Sequence, residues 1–124
     1  MRAYFFTNAY LSSIQHGIQA LHCLQEINNT YQNENRYLSE WAETHKTAII
    51  LNGGTSDQMA AIKKLLENPT NEFPWGYFKE PSINNTLTCV GIILPEYIYA
   101  TERYDVGSIE YELSQLTRTK RFAR

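Results

Sequence analysis

The stretch that decides the fold is AYFFT (residues 3–7) followed by SSIQHGIQALHCLQE (residues 12–26). The first part is rich in aromatic residues and predicts a β-strand. In the second part, apolar residues at helical spacing predict a buried helix face: Ile14, Ile18, Leu21 and Leu24. A polar face follows the same spacing: Gln15, Gln19, His22 and Glu26. This polar face is either one wall of a site for a polar or anionic ligand, or the solvated side of an amphipathic helix.

Length and composition limit the class of protein. The chain has 124 residues and a formal net charge of −2, which favours one domain and argues against general nucleic-acid binding. We find no membrane-length apolar stretch and no signal-peptide pattern, so we expect a cytoplasmic protein with no membrane partner. Cys23 and Cys89 lie in apolar segments without a CxxC motif, which predicts buried free thiols.

Basic residues are concentrated at the C-terminus, where no acid accompanies them: Arg118, Lys120, Arg121 and Arg124. We therefore predict a single α/β domain over residues 1–117 and a basic tail over residues 118–124. The tail is either a solvated end or a contact for a phosphate-bearing ligand through Arg118 and Arg121, on its own or a neighbouring subunit.

The remaining sequence predicts alternating helices and strands around this first unit. Strands are expected over residues 3–7, 46–52, 75–79 and 86–94, and the second of these should be covered on both faces. Helices are expected over residues 12–26, over 37–42, from Thr55 or Ser56 to Asn68, and over 107–117, with a loop over 28–35. Strands one and two should be parallel, and strands three and four antiparallel. The order predicts a three-layer α/β/α sandwich with a four-stranded mixed sheet.

Two of these segments resemble the peptidyl-tRNA hydrolases of the archaeal and eukaryotic type. GIQALH (residues 17–22) keeps the Gln and His of the family's A-x-Q-x-x-H helix as Gln19 and His22. NTLTCVGI (residues 85–92) is similar to the family's strand G-T-x-T-V-x-G-I. The resemblance covers about residues 2–95 and implies a peptidyl-tRNA hydrolase II-like fold, with Glu80 in place of the family's acidic residue. The family's catalytic lysine has no counterpart, because no lysine precedes Lys46.

The sequence therefore predicts a non-catalytic nucleotide-binding protein that needs no cofactor and no metal. The expected ligand-binding residues are Asn8, Gln15, Gln19, His22, Asn84, Asn85, Arg118 and Arg121. One use of such a protein is viral, in which it sequesters a nucleotide immune signal in the host cytoplasm as a phage anti-defence. The alternative is a divergent peptidyl-tRNA hydrolase or phosphodiesterase, in which His22 and Glu80 act as base and acid. A tRNA partner is less expected, because the net charge is negative.

Nine tyrosines are more than the interior of so small a domain needs. Some of them are therefore predicted to lie at an interface between subunits, and the candidates are Tyr97, Tyr99, Tyr104 and Tyr111. We therefore predict a homodimer or a higher oligomer. Stacking on a nucleotide base and packing on the sheet of the same chain remain alternatives for these rings.

Overall fold

Four β-strands form one mixed sheet in a computed structural model that describes residues 1–101 and 103–124. The strands are β1 (Arg2–Asn8), β2 (Ala48–Gly54), β3 (Trp75–Glu80) and β4 (Thr86–Leu94). They lie in the order β2-β1-β4-β3, with β1 parallel to β2 and β4 antiparallel to both β1 and β3. The prediction of an α/β fold with a four-stranded mixed sheet is confirmed, as are the two predicted strand directions.

In the described part of the chain, five α-helices accompany the sheet: α1 (Ser13–Tyr31), α2 (Arg36–Glu40), α3 (Ser56–Leu66), α4 (Glu96–Tyr99) and α5 (Ile109–Thr119). A π-helical turn (Trp41–His45) continues α2, and a 3₁₀ turn (Pro81–Ile83) joins β3 to β4. Thr55 caps α3, because its hydroxyl accepts from the Gln58 backbone and the Gln58 side chain accepts from the Thr55 backbone. Within the described ranges, no helix is long and apolar enough to cross a membrane.

Apolar side chains pack against both faces of the sheet, because successive residues of a strand point to opposite sides. Phe5 belongs to one core cluster, together with residues of α1 and α2 such as Cys23 and Leu38. Tyr4 and Phe6 belong to the other cluster, which includes the buried residues of α3 and α5. One face therefore carries α1 and α2, and the opposite face carries α3 and α5.

Helix α1 is longer than predicted, and part of the expected loop over residues 28–35 is helical. Ile27 is fully buried, and the Tyr31 hydroxyl accepts a hydrogen bond from the Trp75 backbone N–H at 3.2 Å. These tertiary contacts outweigh the weak helix propensity of Asn28 and Asn29. The helix ends at Gln32, which has a positive φ of 52°.

The buried face of α1 is opposite to the predicted one. Its buried residues are His16, Gln19, Ala20, Cys23 and Ile27. Ile14 and Leu21, which were expected in the core, are 73% and 66% exposed. The physical reason lies in the strands beneath the helix, since β1 and β4 place two buried threonine hydroxyls there that require polar partners.

Strand β2 lies at the edge of the sheet, and its apolar residues pack on both faces as predicted, since Leu51 belongs to the cluster of α3 and α5 and Ile50 packs against the cluster of α1 and α2. Its outer edge pairs with the C-terminal segment, because the Asn52 backbone N–H donates to the Arg121 carbonyl at 2.7 Å. The Ala123 N–H likewise donates to the Ile50 carbonyl at 3.0 Å. The predicted basic tail therefore begins inside α5 and continues as an extended segment along β2.

Cys23 and Cys89 are free and buried, as predicted. Burial raises the pKa of the Cys89 thiol well above its ordinary value, and a hydrogen bond with Cys23 raises this pKa further. We expect an alkylating reagent at neutral pH to modify neither thiol in the native protein and both thiols in denaturant, as counted by mass spectrometry. Rapid native labelling would contradict this expectation, because it requires α1 to separate from the sheet.

Candidate functional site

The predicted amide residues lie near the end of the sheet at which β1 and β2 end and α1 and α3 begin. Open α/β sheets commonly bind ligands at the carboxyl ends of their strands. The Gln19 Nε2 donates to Glu80 Oε1 at 3.3 Å, so α1 contacts the end of β3, from which the β3–β4 connection starts. His22 instead packs its ring against Phe78 of β3, with 4.8 Å between the ring centroids.

Gln19 is the centre of a buried hydrogen-bond network. Its Oε1 accepts from the Thr88 hydroxyl at 2.7 Å, and its Nε2 donates to Gln15 Oε1 at 3.2 Å as well as to Glu80. The side chain is only 1% exposed and uses both of its N–H donors within the protein. Gln19 therefore positions Gln15 and Glu80, both of which are partly exposed, rather than offering its own amide to a ligand.

A second buried polar pair attaches α1 to β1. The Thr7 Oγ1 lies 2.6 Å from His16 Nδ1 and 3.3 Å from the Leu51 carbonyl oxygen. His16 was not among the predicted site residues. Its spacing in the sequence could have indicated its position, because His16 and Gln19 are three residues apart and so share a helix face.

Asn8 connects the two sides of this sheet edge. Its Nδ2 donates to the Leu87 carbonyl at 3.2 Å and to the Ser56 hydroxyl at 3.4 Å. Its Oδ1 accepts from the Tyr10 backbone N–H at 3.1 Å. One buried amide thus joins the end of β1 to β4, to the start of α3 and to the turn that leads into α1.

A groove of about 480 Å³ opens between α3 and the strands β3 and β4. It is lined by Ser56, Ala60, Lys63, Lys64, Glu67, Lys79, Asn85 and Leu87. Glu67, the carboxylate in this set, forms an ion pair with Lys63. Lys64 and Lys79 form no ion pair with any described residue, so the groove carries net positive charge. Neither Lys64 nor Lys79 is among the ligand-binding residues predicted from the sequence.

Asn84 and Asn85 form the turn that leads into β4. Both have left-handed backbone conformations, with φ of 64° and 56°, which asparagine adopts more readily than most residues. The Asn85 N–H donates to the Glu80 carbonyl at 3.0 Å, which closes the turn. Asn85 lines the α3 groove, whereas Asn84 lies at the exposed end of the 3₁₀ turn.

Arg118 and Arg121 lie in another part of the molecule. The Arg118 Nε donates to the Ser114 hydroxyl at 3.2 Å. Arg121 lines a cavity of about 530 Å³ beside β2, together with Arg2, Tyr4, Ile49, Leu51, Thr117, Lys120, Phe122 and Arg124. This tail cavity shares no lining residue with the α3 groove. The predicted tail arginines and the predicted amides therefore do not line one common cavity.

Three of the tyrosines proposed for an interface contact their own chain, and one of these contacts joins the Tyr97 ring to Phe73, with 6.3 Å between centroids. The Tyr99 ring packs edge-on against Tyr4, with 5.8 Å between centroids, and the Tyr104 hydroxyl donates to the Tyr97 carbonyl. Tyr97 is nevertheless 51% exposed. Glu102, in the same tyrosine-rich stretch, lies outside the described residues. Packing on the sheet is thus the observed role of Tyr99.

The chemistry available at this sheet edge is mainly the binding of anions. In the part of the chain that the structure describes, no hydrogen bond or ion pair joins His22 to Glu80, the predicted base and acid. Residues 1–101 and 103–124 also contain no group of three or more His, Cys, Asp or Glu side chains suited to a metal ion. Lysine, amide and hydroxyl donors are instead grouped in the α3 groove. No protein-family model and no curated protein matches this chain.

Proposed function

We propose that this protein binds a phosphate-bearing, nucleotide-type small molecule without cleaving it, on a three-layer fold like that of peptidyl-tRNA hydrolase II. The observation that supports the proposal is the α3 groove, in which Lys64 and Lys79 form no ion pair with a carboxylate of residues 1–101 or 103–124. Charged ammonium groups form strong hydrogen bonds with phosphate oxygens. The volume of about 480 Å³ is in the usual range for small-molecule sites.

Each part of the groove has a role in this proposal. Lys64 and Lys79 contact phosphate oxygens, and Ser56 adds a hydroxyl at the start of α3, where the helix dipole also favours an anion. Asn85 offers an amide for a base or a sugar. Leu87 provides an apolar wall against which a flat ring can pack.

The buried amides hold these groups in place. Asn8 forms a hydrogen bond with Ser56, and Gln19 forms one with the Glu80 side chain. The backbone carbonyl of Glu80 accepts from Asn85 and closes the turn that carries this residue. The predicted residues Asn8 and Gln19 therefore act as positioning residues. Gln15 and His22 lie on the α1 side of the same edge, where they are available to a ligand that extends beyond the groove.

Binding without turnover suits a protein that captures a signalling molecule. Sequestration of a nucleotide immune signal by a viral protein in the host cytoplasm is one such use and belongs to this proposal. A divergent hydrolase or phosphodiesterase, with His22 as base and Glu80 as acid, is the alternative. That alternative requires these two side chains to act on one bond, and the described contacts hold Glu80 to Gln19 and His22 to Phe78.

We expect Lys79→Ala to weaken nucleotide binding about tenfold at low salt, since a charge-assisted hydrogen bond is lost. The loss should shrink as salt is added, because the Lys79 ammonium is exposed and therefore screened. Calorimetric titration with a panel of cyclic and linear nucleotides measures both effects. Lys120→Ala is the matched control, because it removes the same charge from the separate tail cavity.

Two outcomes would contradict this assignment. Weaker binding in Lys120→Ala and Arg121→Ala, with unchanged binding in Lys79→Ala, would move the ligand to the tail cavity. Product formation from any nucleotide or from peptidyl-tRNA, if abolished by His22→Ala, would establish the hydrolase alternative. Release of intact ligand after heat denaturation is the result expected of a binding protein.

A further inference from the structure

The tail cavity beside β2 is lined by an unusual concentration of positive charge. Four basic side chains are among its lining residues: Arg2, Lys120, Arg121 and Arg124. No acidic side chain lines the cavity, and none of these four cations forms an ion pair with a carboxylate of residues 1–101 or 103–124. Like charges that face one cavity repel each other, and a bound anion would remove that repulsion. The cavity therefore suits an anionic ligand.

The register of the C-terminal segment with β2 decides which of its side chains face the cavity. Leu51 and Phe122 form an antiparallel bridge. The same register puts Arg124 opposite Ile49, another lining residue. Side chains alternate along an extended segment, so Phe122 shares its face with Lys120 and Arg124. An aromatic ring is thus flanked by two cations on the cavity side of this segment.

Arg2 of β1 is oriented by contacts with its own chain. Its Nη1 donates to the Tyr4 hydroxyl at 3.1 Å, and its guanidinium carbon lies 4.3 Å from the centroid of the Tyr99 ring. Packing on an aromatic ring leaves the edge of a guanidinium able to form paired hydrogen bonds with an oxyanion. Because Arg2 is already ordered, less side-chain entropy is lost when an anion binds to it.

Apart from the cations, the lining of the tail cavity is mainly apolar. Tyr4, Ile49 and Leu51 come from the sheet, and the Phe122 side chain is 70% exposed, so a ligand can cover its ring. No side-chain amide of the described residues lines this cavity, whereas Asn85 lines the α3 groove. Such a lining offers little hydrogen bonding to the edge of a base, but it can cover an apolar chain or ring.

We propose that the tail cavity is a second binding site, which takes an organic phosphate whose organic part is an apolar chain or ring. The phosphate contacts Arg2, Lys120 and Arg124 through charge-assisted hydrogen bonds. The apolar part packs against Phe122 and Ile49 and is removed from water. The volume of about 530 Å³ is in the usual range for small-molecule sites. The two cavities share no lining residue, so either site can be absent without the other.

Calorimetric titration with octyl phosphate, kept below the concentration at which it forms micelles, tests the proposal. We expect one molecule to bind per chain. Octanol and inorganic phosphate should each bind at least about tenfold more weakly, because each of them lacks one half of the ligand. Nucleotide titrations of the same proteins report on the α3 groove separately.

Two substitutions separate the head of the ligand from its apolar part. Lys120→Ala should weaken the binding of octyl phosphate about tenfold, because a charge-assisted hydrogen bond is lost. Phe122→Ala should weaken octyl phosphate by a similar factor but leave the affinity for inorganic phosphate unchanged, since the ring contacts the chain of the ligand. Arg36→Ala is the control, because it also removes one positive charge and Arg36 lines a different cavity beside α2.

Three results would overturn the proposal. Unchanged octyl phosphate binding in Lys120→Ala would place the ligand elsewhere. Equal affinities for octyl phosphate and inorganic phosphate, with no effect of Phe122→Ala, would reduce the cavity to a site for inorganic anions only. Sedimentation of the chain with vesicles that contain phosphatidic acid, without binding of monomeric octyl phosphate, would assign the cations to a lipid surface instead.

Discussion

Replacing Gln19 by alanine should lower the free energy of unfolding by about 3 kcal/mol. The substitution removes a side chain that is 1% exposed and that accepts from the Thr88 hydroxyl while donating to Gln15 and Glu80. A cavity would remain in the packing between α1 and β4. The polar groups that Gln19 now serves would lose a partner, and a buried group without a partner destabilises the native state.

Urea denaturation followed by tryptophan fluorescence measures this loss. Gln25→Ala is the matched control, because Gln25 belongs to the same helix and is exposed, so its change should stay within about 0.5 kcal/mol. A loss below about 1 kcal/mol in Gln19→Ala would show that water replaces the amide and that the network is not rigid. A large loss, together with weaker nucleotide binding, would support the role of Gln19 in positioning the Glu80 turn.

The face of α1 shows what periodicity can and cannot predict. The spacing of Ile14, Ile18 and Leu21 correctly predicts a helix that begins after Ser12. It does not predict which face is buried, because burial depends on the surface that the helix covers. Here that surface offers two threonine hydroxyls, so polar residues of α1 face inward. In α3, apolar residues at the same spacing do form the buried face, since Met59, Ile62 and Leu66 belong to an apolar core cluster.

The prediction of a strand over residues 86–94 agrees with β4, which is observed over Thr86–Leu94. This strand is predictable because apolar residues on both of its faces are typical of an interior strand. Strand β2 has a similar composition but lies at the edge. The C-terminal segment pairs with the outer edge of β2. Residues so distant in sequence leave no local pattern from which this pairing could be predicted.

The candidate site could be predicted only where chain topology forces proximity. Helix α1 begins where β1 ends, and β4 pairs with β1, so Gln19 had to lie near the Glu80 connection. The α3 groove depends instead on the packing of α3 across the sheet, mainly against β4. Lys63 and Lys64 lie in the last turn of α3, where basic side chains complement the helix dipole, and Lys79 belongs to β3. Nothing local in the sequence brings Lys64 and Lys79 together.

Gly91 of β4 allows α1 to approach the sheet closely, and substitutions there should be strongly destabilising. A Cβ built on Gly91 would lie 2.8 Å from a ring carbon of Phe5, its cross-strand partner, and 3.1 Å from the Cys23 Sγ. We expect Gly91→Ala to lower the free energy of unfolding by about 1 kcal/mol and Gly91→Val by about 3 kcal/mol, because added methyl groups must displace the ring or the helix.

Thermal and urea denaturation would measure this series. Gly17→Ala is the control in α1, where a Cβ meets no atom within 4 Å, and it should raise the free energy of unfolding by up to about 1 kcal/mol. Equal stability of Gly91→Val and the unsubstituted chain would mean that α1 is packed more loosely than the contact with Cys23 indicates. Because α1 also carries Gln19, a helix displaced by Gly91→Val should lengthen the hydrogen bond to Thr88. Nucleotide affinity should then fall in Gly91→Val, even though Gly91 is not among the residues that line the α3 groove.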